Sequence, residues 1–276
     1  MNYSEFYNKL ENCKLTKYSI GKSEQGQDIY VFHVGRFSGA QIIVQAGIHA
    51  REYITSLIAL KQAKMLKNFH KLKGGIYFVP CVNPDGVRVV LDGYENLPEN
   101  SRQICAKLNK DCRLFKANAN LVDLNTNFSA LWGLGEKNLH CKDTENFVGD
   151  FPESEKEVRA LRDFTLKVRP KLTLSYHTKG EVIYYGFKTQ PQKEILRDQK
   201  IGEILAKSCG YELVFSHNSC GGYKDFCNHT LHIPAYTIEC GSDDLSHPIE
   251  EEYLNSIYDR VKDLPALALS QAKQET

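Results

Sequence analysis

Short runs of β-branched and aromatic residues recur along this chain, and most are separated by stretches far too long for a hairpin turn. The runs cover residues 29–34, 41–46, 76–80, 172–176, 182–185 and 235–240, each of strand length. Between them lie amphipathic stretches over 54–69, 153–168, 193–209 and 250–264, with apolar residues three and four apart, the period of a helix. Ser154 followed by Glu157 reads as a capping box at the head of the second. Strands joined through helices need crossover connections, which make neighbouring strands parallel and cover both faces of the sheet. The expected fold class is therefore α/β: a twisted, mostly parallel mixed sheet with helices on both faces. No internal repeat, low-complexity tract or Pro/Gly linker divides the chain, so residues 1–276 are expected to form a single domain, opened by a short helix over about 1–14 with no propeptide domain before it.

Charge and length narrow the function classes. Thirty-five Lys and Arg against thirty-four Asp and Glu leave a formal charge of +1, so no global field favours nucleic acid or an anionic membrane. No run approaches the ~18 apolar residues that a membrane span needs. Nine cysteines without a repeating spacing, in a chain of 276 residues, read as free thiols and point to the cytoplasm. Cys220, Cys227 and Cys240 fall near the expected site, yet no close CxxC pair accompanies them, so they read as small buried apolar residues.

The chemistry gathers where the apolar runs end. His49, His177 and Glu239 each follow or close such a run, and in open α/β sheets ligands bind beyond the carboxyl ends of the strands. Within Gly47-Ile48-His49-Ala50-Arg51-Glu52, a His and a Glu three residues apart straddle a strand-to-helix turn and can face one point. With a distant His added, the set is His2Glu, a catalytic zinc ligand type that leaves a fourth position for water. Nickel or cobalt suits the same donors.

Several motifs stand in order along the chain: Ile20-Gly21-Lys22-Ser23 with the turn at 26–29, the GIHARE string at 47–52, and Asn83-Pro84-Asp85-Gly86. They continue with Val122-Asp123-Leu124-Asn125-Thr126-Asn127-Phe128, Ser175-Tyr176-His177, Gly221-Gly222-Tyr223-Lys224-Asp225-Phe226 and Tyr236-Thr237-Ile238-Glu239. Together they resemble the zinc carboxypeptidase family of metallopeptidases over nearly the whole chain. The resemblance implies one zinc ion held by His49, Glu52 and His177, with Glu239 as general base and acid. It also implies a fixed cation for the developing charge on the scissile carbonyl, upstream of the Asp-Leu-Asn segment; Lys116 is the candidate and Arg113 the alternative.

Departures from that pattern bear on the substrate. The family clamps a terminal carboxylate with an Asn-Arg pair, where this chain has Asn125-Thr126; a neutral hydroxyl replaces a bidentate cation. Lys224 falls at the pocket position that sets side-chain preference, where a basic group favours an acidic ligand. Asp225 beside it is either a partner for a substrate ammonium or a buried structural residue. The family's assisting tyrosine maps near His217, with Tyr223 as the other donor. The GGYKD string looks most like the bacterial branch that cleaves γ-D-glutamyl-meso-diaminopimelate in cell-wall peptides, which makes a cell-wall peptide the expected partner. The alternatives are a carboxypeptidase removing acidic C-terminal residues and a silent ligand-binding relative suggested by Lys116 and Thr126. Retention of Glu239 and both histidines argues against the silent form.

Overall fold

In the computed structural model, which describes residues 1–69 and 72–272, the apolar runs pair into one eight-stranded sheet. In chain order the elements are α1 (Tyr3–Glu11), β1 (Lys17–Lys22), β2 (Asp28–Gly35), β3 (Gln41–Gln45), α2 (Ile54–Leu66), β4 (Gly75–Val79), α3 (Pro84–Asp92) and α4 (Glu99–Leu108). They continue as α5 (Lys156–Val168), β5 (Leu172–His177), β6 (Val182–Tyr185), α6 (Gln192–Cys209), β7 (Glu212–Phe215), α7 (Tyr223–His229), β8 (Ala235–Glu239), α8 (Leu254–Val261) and α9 (Leu264–Gln271). The strand order is β1-β2-β4-β3-β5-β8-β6-β7. The central four, β4-β3-β5-β8, are mutually parallel, as is β6-β7. Antiparallel pairings join β1 to β2, β2 to β4 and β6 to β8.

Period-two alternation divides the core between the two faces of the sheet. Phe32, Ile42, Val44, Phe78, Leu174, Tyr176 and Ile238 point one way and pack with Phe6, Leu57, Leu205, Ile257 and Leu269 from α1, α2, α6, α8 and α9. Ile29, Val31, Ile43, Val79 and Ala235 point the other way, against Val158, Leu161 and Phe164 of α5 and Tyr223 and Phe226 of α7. Both faces are covered, so the central strands read as nearly continuous apolar runs.

Some boundaries differ from the sequence expectation for physical reasons. Ser154 does not cap α5: its hydroxyl donates to Glu155 Oε1 at 2.7 Å and accepts from Asn127 Nδ2 at 3.1 Å, and the helix starts after Glu155 without a side-chain cap. Tertiary partners outbid the local box. The expected helix over 250–264 is shorter: a 3-10 turn over Glu251–Tyr253 leads into α8, which ends at Val261, and Pro265 then sits in the first turn of a separate helix, α9, where its missing N–H costs nothing. Strand β1, sequence KYSIGK, is a sheet edge carrying lysines and half-exposed residues, so it lacks the apolar signature of the centre.

The Asn83-Pro84-Asp85-Gly86 motif is a structural clamp. Asn83 caps α3 by accepting from Gly86 N at 2.9 Å, and its amide donates to Ile48 O at 3.2 Å and Ala117 O at 2.9 Å. It thereby ties the residue before His49 to the residue after Lys116. Behind this clamp Asp85 accepts from Ser23 Oγ at 2.7 Å and from Gln25 N at 2.8 Å.

Burial, with the nearby Asp85 charge, pushes the Glu157 carboxyl up to about 8. An unfolded glutamate titrates near 4.3, so between that value and about 8 the folded chain binds the extra proton and stability falls as pH rises. E157Q is expected to flatten this fall. The check is the melting temperature from pH 5 to 8 for both proteins; equal slopes would show that Glu157 carries no charge penalty.

Candidate metal centre

Strands β3, β5 and β8 run parallel, so their carboxyl ends lie along one edge of the sheet. Past the end of β3 the chain turns at Gly47, whose φ is +60°; a Cβ there would stand 2.4 Å from Ser56 Oγ and 3.1 Å from Pro80 O. The turn aims His49 at the edge, and a single helical turn, Ala50–Glu52, brings Glu52 round to the same side. His177 ends β5, and the sheet register sets it directly across from Glu239, which ends β8.

His49 Nδ1 lies 2.9 Å from Glu52 Oε1, and His177 Nδ1 lies 3.1 Å from both His49 Nδ1 and Glu52 Oε2. All three residues are buried. Donors set tetrahedrally about 2.0–2.1 Å from a zinc ion stand roughly 3.3 Å apart, so this packing of two imidazole nitrogens and a carboxylate has a metal site's spacing. The outer contacts suit the same ion. Asp123 Oδ1 is 3.3 Å from His49 Nε2, which favours the proton on that nitrogen and turns the lone pair of Nδ1 inward. Thr178 N donates to Glu52 Oε2 at 3.3 Å. The residues therefore fit a single zinc ion.

Electrostatics hold these groups in place. Burial would raise Glu52, but His49 and His177 outweigh it and keep the carboxyl well below its usual range. Asp123, fully buried, is likewise lowered by Lys116 and His49 against its burial. Lys116 Nζ sits 2.7 Å from Asp123 Oδ2 and donates to Asn146 Oδ1 at 3.2 Å. An ammonium has three N–H groups, so one remains for the cleft. Glu239 is half-buried beside this set, and burial pushes it up to about 7 against the opposing pull of His177 and Lys116. A bound cation would draw it back down.

Two adjoining cavities of about 540 and 330 Å³ make the cleft. Glu239, Lys224, His217 and Tyr184 line the larger; His49, Asp123 and Thr126 line the smaller; Lys116 and Asn125 line both. The structure therefore brings Lys116, Asn125, Thr126, Lys224 and His217 to the cleft with the metal-ligating set. It does not bring Arg113 or the Tyr223 hydroxyl. Arg113 is exposed, paired with Glu250, and lines a different cavity of about 370 Å³. The Tyr223 hydroxyl lies 2.8 Å from Thr165 Oγ1 in the core below α5, and only its backbone N–H reaches toward the site, donating to Asn125 Oδ1 at 3.0 Å.

Two cleft residues are already engaged. The Thr126 hydroxyl donates to Asp123 O at 2.9 Å, so its one proton serves the backbone. Lys224 Nζ donates to Gly186 O at 2.7 Å and lies 2.7 Å from Asp225 Oδ1. Asp225 is fully buried and also accepts from Ser219 Oγ at 2.5 Å and Gly222 N at 3.1 Å, which makes it a structural partner. Tyr184, Asp123 and Asn146 were given no role from sequence. Tyr184 lies across from Thr237 in the antiparallel β6–β8 pair, two residues before Glu239, and lines the larger cavity with both; Asp123 stands inside a quoted motif.

Two variants check these contacts. H177A is expected to bind zinc more than about a hundredfold more weakly by calorimetry, beyond the loss typical of an outer-contact residue. K224M should cost about 3–5 kcal/mol in denaturant unfolding, because it strands the buried Asp225 charge; a loss under 1 kcal/mol would show the pair to be incidental.

Comparison with known proteins agrees with this geometry. A profile described as zinc carboxypeptidase matches residues 5–255. Gamma-D-glutamyl-L-diamino acid endopeptidase 1 of Lysinibacillus sphaericus is 32% identical over 255 residues, covering 84% of this chain and 62% of the relative. Human carboxypeptidase A6 is 29% identical over 200 residues, 67% of this chain and 43% of its own length. The chain thus spans less than two thirds of these relatives. Among solved structures, carboxypeptidase A from Helicoverpa armigera superposes with a TM-score of 0.77 at 20% identity, over 99% of this chain and 72% of that one. Murein-tripeptide amidase MpaA from Escherichia coli O157 gives 0.64 at 22% identity over 94% of both. These structural likenesses concern the fold, whereas the profile spans almost all of the sequence: the chain belongs to the zinc carboxypeptidase family.

Proposed function

We propose that this protein is a zinc peptidase that hydrolyses the bond between γ-D-glutamate and a diamino acid, meso-diaminopimelate in the first instance, in cell-wall peptides. The observation that carries the chemistry is the register pair His177–Glu239, which sets a carboxylate beside the metal-ligating donors at the mouth of the cleft. Zinc held by His49, Glu52 and His177 would supply a Lewis acid for the scissile carbonyl and for a water nucleophile. Glu239 takes the proton of the attacking water and returns it to the leaving nitrogen. The spare N–H of Lys116 faces the charge that develops on the carbonyl oxygen.

The substrate assignment draws support from the Lysinibacillus sphaericus relative and from the floor of the larger cavity. Diaminopimelate carries a second amino-acid head on its side chain, with an ammonium and a carboxylate. Lys224 lines that cavity and, with Gly186 O and Asp225 taking two of its three N–H groups, keeps one for the carboxylate of that head. All nine cysteines are unpaired, which supports a reducing compartment and hence a role in recycling wall fragments inside the cell. A second reading, removal of acidic C-terminal residues, is favoured by the three lysines that line the larger cavity, Lys116, Lys137 and Lys224.

Purified zinc-loaded protein incubated with L-Ala-γ-D-Glu-meso-diaminopimelate should release the free diamino acid and leave poly-Glu tails intact; the opposite preference selects the second reading, and no release rejects the wall substrate. E239Q should lose roughly 10²–10⁴ in kcat while retaining one zinc per chain, measured by metal analysis. Unchanged turnover would remove Glu239 from the mechanism.

A further inference from the structure

Among the described residues, one cation of the cleft has no charge to answer it. Lys116 is paired with Asp123, Lys224 with Asp225, and Arg113 lies elsewhere with Glu250. Lys137 lines both cavities, on the wall they share with Lys116 and Asn125, and among the described residues its ammonium has no ion-pair or hydrogen-bond partner. Neighbouring Glu136 lines only the smaller cavity and forms no ion pair with it.

The segment carrying Lys137 is anchored rather than loose. Asn138 N donates to Gly135 O at 3.1 Å, Leu139 N donates to Asn146 O at 2.9 Å, and Trp132 Nε1 donates to Val148 O at 2.9 Å. Asn146 is also the residue that accepts from Lys116, so the backbone that presents Lys137 is tied to the cation at the metal side of the cleft. An anchored backbone fixes where a flexible side chain can reach and lowers the ordering cost when a ligand meets it.

We propose that Lys137 is a specificity-determining residue that binds a substrate carboxylate, the one adjoining the scissile amide nitrogen. The choice of peptide rests on the function proposed above; the charge argument does not. Thr126 cannot take this role with its hydroxyl already donated to Asp123 O, and Asn125 beside Lys137 has its carbonyl oxygen occupied by Tyr223 N. Lys137 then supplies the charge and the Asn125 amide a neutral donor. Being exposed, the lysine contributes the modest amount of a part-solvated pair, and added salt weakens it.

The test is calorimetric binding of L-Ala-γ-D-Glu-meso-diaminopimelate, and of the same tripeptide amidated at the carboxyl adjoining the scissile nitrogen, to zinc-loaded E239Q and to E239Q/K137Q. The expected result is that E239Q prefers the free acid by about fivefold at low salt, and that K137Q brings the ratio close to one with little change in affinity for the amide. Persistence of the preference in the double variant overturns the proposal. So does equal binding of both ligands, or binding of neither, to E239Q. If the acid preference tracks Lys137 while the unmodified chain cleaves no wall peptide, the reaction assignment fails and the carboxylate site stands.

Discussion

A single buried carboxylate holds the two sides of the site together. Asp123 is fully enclosed and reaches His49 Nε2 with one oxygen and Lys116 Nζ with the other. An isolated charge in that position would be prohibitively costly; flanked by an imidazole and an ammonium it is the cheaper form, and its pKa is accordingly depressed. The same residue caps the turn that follows it, accepting from Asn125 N at 3.0 Å, and its carbonyl receives the Thr126 hydroxyl. The ring orientation of His49, the position of the Lys116 ammonium and the shape of the cleft wall thus share one anchor. Asn83 gives it a second, neutral support by tying Ile48 to Ala117.

The parallel centre of the sheet does the rest of the positioning. Because β3, β5 and β8 point the same way, three separate stretches of sequence deliver polar side chains to one edge while their apolar residues stay inside. Register fixes the order along that edge: His177 beside Glu239, with His49 arriving from the strand on the other flank. Little is left to loops except the substrate walls, and there the charges are mostly self-neutralised.

What the sequence disclosed follows from this division of labour. The buried central strands were legible because both faces are covered, so their β-branched runs are continuous; the edge strands β1 and β7 were not, since neither KYSIGK nor ELVF holds a fully buried residue. The convergence of His49, Glu52, His177 and Glu239 could be read from motifs at strand ends. Side-chain direction could not. Tyr223 turns into the core because Thr165 waits there, Arg113 turns outward to Glu250, and Thr126 spends its proton on a carbonyl three residues back. Each outcome depends on a partner distant in sequence or on a local turn that no spacing rule encodes. Lys137 had no motif at all; it emerges only once every neighbouring cation is seen to be matched.

The distribution of thiols has a practical side. Seven of the nine cysteines are buried, and burial pushes Cys81 and Cys227 up to about 12, so these sulfurs remain protonated and unreactive at neutral pH. Cys141 is the exposed one, four residues along the chain from Lys137. The native chain thereby offers a nearly selective attachment point for a fluorophore without any engineered residue.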